Sequence, residues 1–166
     1  VKYTFGKNPY GYAGLGDVSV FLFFGIVGVC GTFYLHTRFF EWPLLLPAAG
    51  SGFLSAGVLN VNNMRDIMND AASGKRTLVV RMGSTNAKVY HVALVLGGVL
   101  CLTSFILLAN ESAWHWIFLL TLPGFCIHLK RVLSNTEPRL LDPQLKTLAL
   151  TTFLTAILFS LGLILA

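Results

Sequence analysis

Long apolar blocks alternate with short polar segments along this chain. Five blocks contain no Asp, Glu, Lys or Arg, and they cover residues 18–35, 42–64, 89–109, 113–129 and 147–166. Within them the apolar residues follow neither the alternation of a half-buried strand nor a narrow helical stripe. Helices of 17 to 23 residues are about 25 to 35 Å long, which matches a hydrocarbon core of about 30 Å. The pattern therefore predicts five membrane-spanning helices.

The composition also favours a membrane protein. Hydrophobic residues make up 55% of the 166 residues and charged residues only 11%, with a mean hydropathy of +0.71. Soluble domains carry about 25% charged residues. Buried helices of a large soluble protein would need a polar outer layer that this composition does not supply. We therefore expect an all-α fold, a polytopic transmembrane helix bundle that forms one domain over residues 1–166 within a lipid bilayer.

The basic residues indicate how the bundle is oriented. If the chain crosses the membrane at each block, eleven of the twelve Lys and Arg residues fall on one side and only Arg38 on the other. The eleven are Lys2, Lys7, Arg65, Lys75, Arg76, Arg81, Lys88, Lys130, Arg131, Arg139 and Lys146. Cytoplasmic loops are enriched in Lys and Arg, so this side is predicted to be cytoplasmic and the C-terminus to be outside. The sequence has no basic stripe with interleaved aromatic residues, and we expect no nucleic-acid partner.

Cysteine and histidine residues form no metal or redox motif in the sequence. The three cysteines lie inside apolar blocks without CxxC spacing, and the four histidines are scattered without a pair at i and i+4. We interpret these residues as packing, polar or interfacial side chains.

The polar residues at the end of the second block form a candidate metal site. Asn62, Asp66 and Asp70 are spaced by four residues, so on a helix they drift only about 40° per step and share one face. Neighbouring carboxylates at a membrane surface raise each other's pKa unless a cation lies near them. Mg²⁺ binds through one or two carboxylates together with substrate phosphates, and this stripe therefore predicts a Mg²⁺ site.

A basic loop follows the stripe. Lys75, Arg76 and Arg81 lie just beyond the carboxylates, and acidic and basic groups together favour a metal-bridged diphosphate site. A simpler interpretation is that the basic residues only fix topology and the aspartates only end a helix in water. Two other functions stay open at this point: a transporter fragment in which Asp66 and Asp70 bind a permeating cation, and a noncatalytic membrane scaffold.

Two stretches of the chain resemble a known family. Residues 62–83 read N-N-M-R-D-I-M-N-D-A-A-S-G-K-R-T-L-V-V-R-M-G and are similar to the second aspartate motif of the UbiA superfamily of intramembrane prenyltransferases. Residues 3–25 read Y-T-F-G-K-N-P-Y-G-Y-A-G-L-G-D-V-S-V-F-L-F-F-G and resemble the subfamily that prenylates 1,4-dihydroxy-2-naphthoate in menaquinone biosynthesis. The resemblance covers nearly the whole chain. Members that prenylate 4-hydroxybenzoate share the aspartate motif more than the glycine-rich one.

This resemblance implies a larger fold than five helices. Family members have about nine transmembrane helices around a cavity, and two facing aspartate motifs hold Mg²⁺ and the prenyl diphosphate between them. Only the second motif is present in this sequence, which begins at Val1 without Met. We therefore expect the five spans to be the last five helices of a longer enzyme, and the isolated chain to be inactive.

The resemblance also implies roles for individual residues. Asp66 and Asp70 would bind Mg²⁺ that bridges to the diphosphate, and Asn62 would support them. Diphosphate oxygens would be contacted by basic and aromatic side chains, for which the candidates are Lys75, Arg76, Arg81, Lys7 and Tyr3. Asp142, in the other basic loop, is expected to have almost no influence on the reaction.

The implied reaction is Mg²⁺-dependent transfer of a polyprenyl group from polyprenyl diphosphate to the aromatic acceptor 1,4-dihydroxy-2-naphthoate. Loss of CO₂ would accompany the transfer and give demethylmenaquinone. The alternative within the superfamily is a 4-hydroxybenzoate type of prenyltransferase. The implied location is the bacterial inner membrane, with the active loops in the cytoplasm.

Overall fold

The computed structural model describes residues 14–108 and 112–166, and within these ranges the chain is helical and contains no strand. Two candidate site residues, Tyr3 and Lys7, lie outside the described residues. The helices are α1 (Gly16–Thr37), α2 (Trp42–Arg65), α3 (Ile67–Ala72), α4 (Leu78–Leu108), α5 (Ala113–Ser134) and α6 (Pro138–Leu165).

Five of these helices, all except the short α3, are long and apolar enough to cross a membrane. The predicted number and order of spans are therefore confirmed. The helical segments extend beyond the apolar blocks. Segment α4 begins at Leu78 rather than at residue 89, with a kink at Gly83 (φ 79°, ψ 163°), and α6 begins at Pro138 rather than at residue 147. Hydropathy marks only the part of a helix that matches hydrocarbon, whereas backbone hydrogen bonding continues into the polar interface.

Helix α2 is the centre of the bundle and packs against α1, α4 and α6. Glycine allows its closest approach to α1. A Cβ atom added to Gly25 would lie 2.5 Å from the carbonyl oxygen of Ala48, and one added to Gly52 would lie 2.8 Å from the Phe21 carbonyl oxygen. Small residues at such crossings let transmembrane helices pack backbone to backbone.

The outer surface of the bundle is apolar. Large side chains that are more than half exposed include Phe24 at 65%, Leu120 at 75% and Ile164 at 77%. In water, contiguous apolar surface of this extent would drive aggregation, but in a bilayer these side chains contact lipid. The exposure pattern agrees with the membrane-spanning assignment.

Two histidines form a buried contact between α4 and α5. His91 and His128 are both fully buried, and their Nε2 atoms are 2.8 Å apart. One ring therefore donates to the other. The two residues are 37 positions apart, and this separation explains why no local spacing pattern predicts the pair.

We expect His91→Leu and His128→Leu each to lower the free energy of unfolding by about 1 to 3 kcal/mol, because the remaining imidazole loses its buried partner. The double variant should lose clearly less than the sum of the two single losses. Unfolding of the full-length protein in detergent measures these differences. His36→Leu is the matched control, since His36 is exposed. Additive losses from the two single variants would show that the rings do not act as a pair.

The basic segments meet at one end of the bundle, which we call the polar end. Lys88 Nζ donates to the carbonyl oxygens of Leu133 and Asn135, and Arg65 forms an ion pair with Asp142. Residues 65–88 and 130–146 therefore lie together, as the alternation of spans predicts. The side of the membrane that the polar end faces stays a prediction.

Candidate functional site

The predicted metal-site residues lie where α2 ends at the polar end. Helix α2 stops at Arg65, and Asp66 has backbone angles of −96° and 9° before α3 begins. The expectation of one continuous helix through residues 62–70 was therefore wrong. The Asp66 amide still donates to the Asn62 carbonyl at 3.1 Å, and the Asp70 amide to the Asp66 carbonyl at 2.9 Å. These bonds keep the three residues on successive turns despite the break.

Asp66 is held by the arginine that precedes it. Arg65 Nε donates to Asp66 Oδ1 at 3.0 Å and Nη2 donates to Oδ2 at 2.8 Å. The same Nη2 donates to Asn62 Oδ1 at 2.9 Å. These hydrogen bonds lower the pKa of the Asp66 carboxyl below its usual value, against the effect of partial burial. Asp66 is thus an ionised oxygen donor at neutral pH.

Asp70 lies beside the predicted basic residue Lys75. The Lys75 ammonium is 3.2 Å from Asp70 Oδ1, and the Asp70 side chain is only 10% exposed. Gly74, with a φ of +75°, turns the chain back so that the Lys75 amide donates to the Asp70 carbonyl at 2.9 Å. The Lys75 charge also contributes to the lowered pKa of Asp66. Lys75 is therefore close to both carboxylates.

Arg76 and Arg81 occupy a different part of the polar end. Both are exposed, and within the described part of the chain neither forms an ion pair with Asp66 or Asp70. The Arg81 guanidinium lies against Gly14, since a Cβ atom there would be 3.3 Å from Arg81 Nε. The Arg81 guanidinium therefore lies beside Gly14, just before α1, and in the described part of the chain it forms no ion pair with Asp66 or Asp70.

An open cavity of about 490 Å³ at the polar end reveals residues that the sequence did not single out. Its lining consists of Arg65, Asp66, Met68, Asn69, Glu137, Pro138, Arg139 and Asp142. Asp142 accepts a hydrogen bond from Arg65 Nη1 at 2.8 Å. It therefore lies close to the site, whereas the sequence alone predicted almost no influence for it there. The two residues are 77 positions apart, and no local motif joins them.

Apolar cavities lead from this end into the bundle. One of about 610 Å³ begins at Asn62 and runs between α1, α2 and α6, past Phe24 and Thr152. A second of about 280 Å³ shares Thr152 with the first and continues to Leu163. The pair, which we call the apolar groove, offers hydrocarbon surface that begins at Asn62 and is suited to a long alkyl chain.

A second buried carboxylate lies at the start of α1. Asp17 is 4% exposed, hydrogen-bonds to Tyr90 of α4 and lines a small cavity together with Asn63 and Thr77. It belongs to the glycine-rich segment, but its type and position alone carry no functional signal. The contact with Tyr90 links α1 to α4 beneath the polar end.

These oxygen atoms fit a hard divalent cation that is coordinated jointly by the protein and by a phosphate group of the substrate. Asp66, Asp70 and Asn62 supply carboxylate and amide oxygens on successive turns. Among residues 14–108 and 112–166 no group of three His, Cys, Asp or Glu side chains gathers to form a complete metal cage. Mg²⁺ characteristically binds through one or two carboxylates plus phosphate oxygens. The protein therefore needs to supply only some of the metal ligands, as Asp66 and Asp70 can.

Comparison with known proteins identifies one matching family and several relatives that carry the same name. The model of the UbiA prenyltransferase family matches residues 1–148. A 1,4-dihydroxy-2-naphthoate octaprenyltransferase from Escherichia coli (strain K12) is 43% identical over the whole chain, and the matched region covers 54% of that protein's length. Proteins of the same name from Haemophilus influenzae and Mycobacterium leprae are 44% and 37% identical over 99% of the chain, covering 53% and 55% of their own lengths.

The chain spans about half the length of the curated relatives it matches. No solved structure matches it significantly.

Proposed function

Because this chain belongs to the UbiA prenyltransferase family, we propose that the full-length protein transfers a polyprenyl group from polyprenyl diphosphate to 1,4-dihydroxy-2-naphthoate. The observation that carries this proposal is that Asn62 lines the start of the apolar groove and shares the Arg65 guanidinium with the Asp66 carboxylate. A diphosphate head and a hydrocarbon tail need these two surfaces side by side. The names of the relatives supply the acceptor.

The donor head binds at the two carboxylates. Asp66 and Asp70 would hold Mg²⁺, and Asn62 would support them with its amide oxygen. Bound Mg²⁺ would neutralise the charge that grows on the departing diphosphate. Lys75 supplies a second positive charge next to Asp70. Arg76, Arg81, Lys7 and Tyr3 stay candidates for contacts with diphosphate oxygens, as the family resemblance implies.

The donor tail lies in the apolar groove, which begins at Asn62. Most of the lining residues are apolar, so the hydrocarbon chain stays in an apolar environment when it moves from lipid into the groove. The groove also keeps water away from the reacting carbon, since an allylic cation would otherwise be hydrolysed.

The reaction needs no base at the attacked carbon, because this carbon loses CO₂ and not a proton. The bond between C1 of the prenyl group and oxygen breaks, and the diphosphate leaves with the electron pair. The acceptor carbon that carries the carboxylate forms the new bond to C1. Its carboxylate then leaves as CO₂, and the electrons of that bond restore the aromatic ring. The product is the reduced form of demethylmenaquinone, and oxidation gives the quinone.

The acceptor preference tests this assignment. We expect the full-length enzyme in membranes to prenylate 1,4-dihydroxy-2-naphthoate at least about tenfold faster than 4-hydroxybenzoate, because residues 3–25 resemble the subfamily that prenylates the naphthoate and the relatives carry that name. Product analysis with both acceptors and one donor measures the ratio. An equal or reversed preference would assign the protein to the 4-hydroxybenzoate type, and absence of any prenyl transfer would favour the transporter or scaffold alternatives.

The location of the polar end is a further prediction. Tags inserted in residues 71–85 and 132–145 should report the cytoplasm, because eleven of the twelve basic residues lie on that side. Tags in residues 38–41 and 110–112 should report the outside. Cysteine accessibility or reporter fusions in a bacterial inner membrane distinguish these outcomes. An external loop at residues 71–85 would separate the site from cytoplasmic diphosphate and contradict the proposal.

A further inference from the structure

We propose that Arg65 is a positioning residue that occupies the metal-ligand oxygens when the metal is absent, and that Asp142 retains Arg65 when the metal binds. This inference rests on the proposed function, since it takes Asp66 as a metal ligand and Asn62 as the residue that supports it. It assigns a role to two residues that no motif in the sequence singles out.

The guanidinium of Arg65 engages the same oxygens that the metal requires. Its Nε and Nη2 atoms lie 3.0 and 2.8 Å from the two carboxylate oxygens of Asp66. Nη2 also lies 2.9 Å from Asn62 Oδ1. Three oxygens of the candidate ligand set therefore accept hydrogen bonds from one arginine side chain.

This arrangement competes with direct metal coordination. A bidentate guanidinium occupies two of the about four lone-pair sites of the Asp66 carboxylate. A divalent cation at the remaining sites would meet a fixed positive charge at short range. Because the two cations repel each other, we expect the Arg65 guanidinium to leave at least part of this set when Asp66 coordinates Mg²⁺.

Asp142 provides the alternative partner. Arg65 Nη1 points away from Asp66 and donates to Asp142 Oδ1 at 2.8 Å. The Asp142 side chain is 71% exposed and that of Arg65 is 25% exposed, so the contact can persist while the guanidinium moves towards the open cavity. Two other charged residues line this cavity, the carboxylate of Glu137 and the guanidinium of Arg139.

The two residues should have opposite effects on metal affinity. Arg65 lowers the affinity because it has to be displaced, and Asp142 raises it because it stabilises the displaced side chain. The effect of Asp142 must act through Arg65. A carboxylate that acted only through its own charge would raise affinity whether or not Arg65 is present.

Mn²⁺ binding to the full-length enzyme in detergent, without substrates, tests this inference. Free Mn²⁺ is measured by its electron paramagnetic resonance signal. We expect Arg65→Lys to tighten Mn²⁺ binding on the order of threefold to tenfold, because lysine keeps the charge but cannot hold three oxygens at once. Asp142→Asn should weaken binding by a similar factor. Asp142→Asn in the Arg65→Lys background should have almost no effect.

Controls separate this inference from the proposed function. Lys146→Gln removes an exposed charge at the same end and should leave Mn²⁺ affinity almost unchanged. Asp66→Asn should weaken Mn²⁺ binding at least about tenfold or lower the number of bound Mn²⁺ ions, since the other aspartate motif implied for the full-length enzyme can still bind metal. If neither quantity changes, the metal site of the proposed function is wrong. If Asp66→Asn has this effect but Arg65→Lys does not tighten binding, or the Asp142→Asn effect persists in the Arg65→Lys background, only the role of Arg65 is wrong. Arg65→Gln replaces Arg65→Lys if the lysine variant does not fold.

Discussion

Replacement of Asp66 by Asn should lower the turnover of the full-length enzyme at least about a hundredfold, which corresponds to about 3 kcal/mol of transition-state stabilisation. Asn keeps the size and hydrogen-bonding capacity of the side chain but removes its charge, and a neutral amide is a poor ligand for Mg²⁺. Asp70→Asn should have a similar effect. Initial rates at saturating donor and acceptor, measured over a range of Mg²⁺ concentrations, quantify the loss.

A suitable control carboxylate lies at the opposite end of the bundle. Glu41 is exposed, just before α2, and Glu41→Gln should keep nearly full activity. Asp142→Asn is unsuitable as a silent control, because Asp142 is bonded to the arginine that holds Asp66. Full activity of the Asp66→Asn enzyme would contradict the proposed metal site. Activity of the 166-residue chain alone would contradict the expectation that a second aspartate motif is required.

Replacement of Lys75 by Met should lower kcat/KM on the order of a hundredfold, the usual effect of removing one group that stabilises developing negative charge. The Lys75 ammonium lies 3.2 Å from Asp70 and contributes to the lowered pKa of Asp66. A diphosphate bound through both carboxylates would therefore lie within its reach. Steady-state kinetics with varied polyprenyl diphosphate separate the effect on kcat from that on KM.

The alternative for Lys75 is a structural role in holding Asp70. Lys75→Arg distinguishes the two roles, since it keeps the charge and should retain more activity than Lys75→Met. Lys130→Met is the control for loss of one exposed charge at the same end and should change kcat/KM less than about twofold. If Lys75→Met lowers the unfolding temperature but leaves kcat/KM unchanged, its proposed contact with diphosphate is wrong.

Basic side chains hold the oxygen atoms of both candidate carboxylates in the folded bundle. Arg65 and Lys75 each pair with one of the two carboxylates. Adjacent carboxylates are therefore compensated by the protein itself before any metal binds. This explains how two acidic residues one turn apart are tolerated at the edge of a membrane, where unpaired charge is unfavourable.

The sequence by itself determined the number and order of the spans and the residue types of the candidate site. Membrane insertion depends on hydropathy summed over about 20 consecutive residues, which is a local property that can be read from the chain. The spacing of Asn62, Asp66 and Asp70 is likewise local, and the hydrogen bonds between their backbones maintain it although the helix breaks at Asp66. The grouping of the basic loops at one end follows from the alternation of spans.

Only the tertiary structure decided which side chains meet across helices. The contact of His91 with His128 joins residues 37 positions apart, and that of Arg65 with Asp142 joins residues 77 positions apart. Such contacts depend on which helix faces pack together and at what depth, and close packing at glycine crossings helps to set both. Local spacing carries no information on either quantity. The compensation of Asp66 by an arginine that Asp142 also binds is therefore a property of the folded bundle.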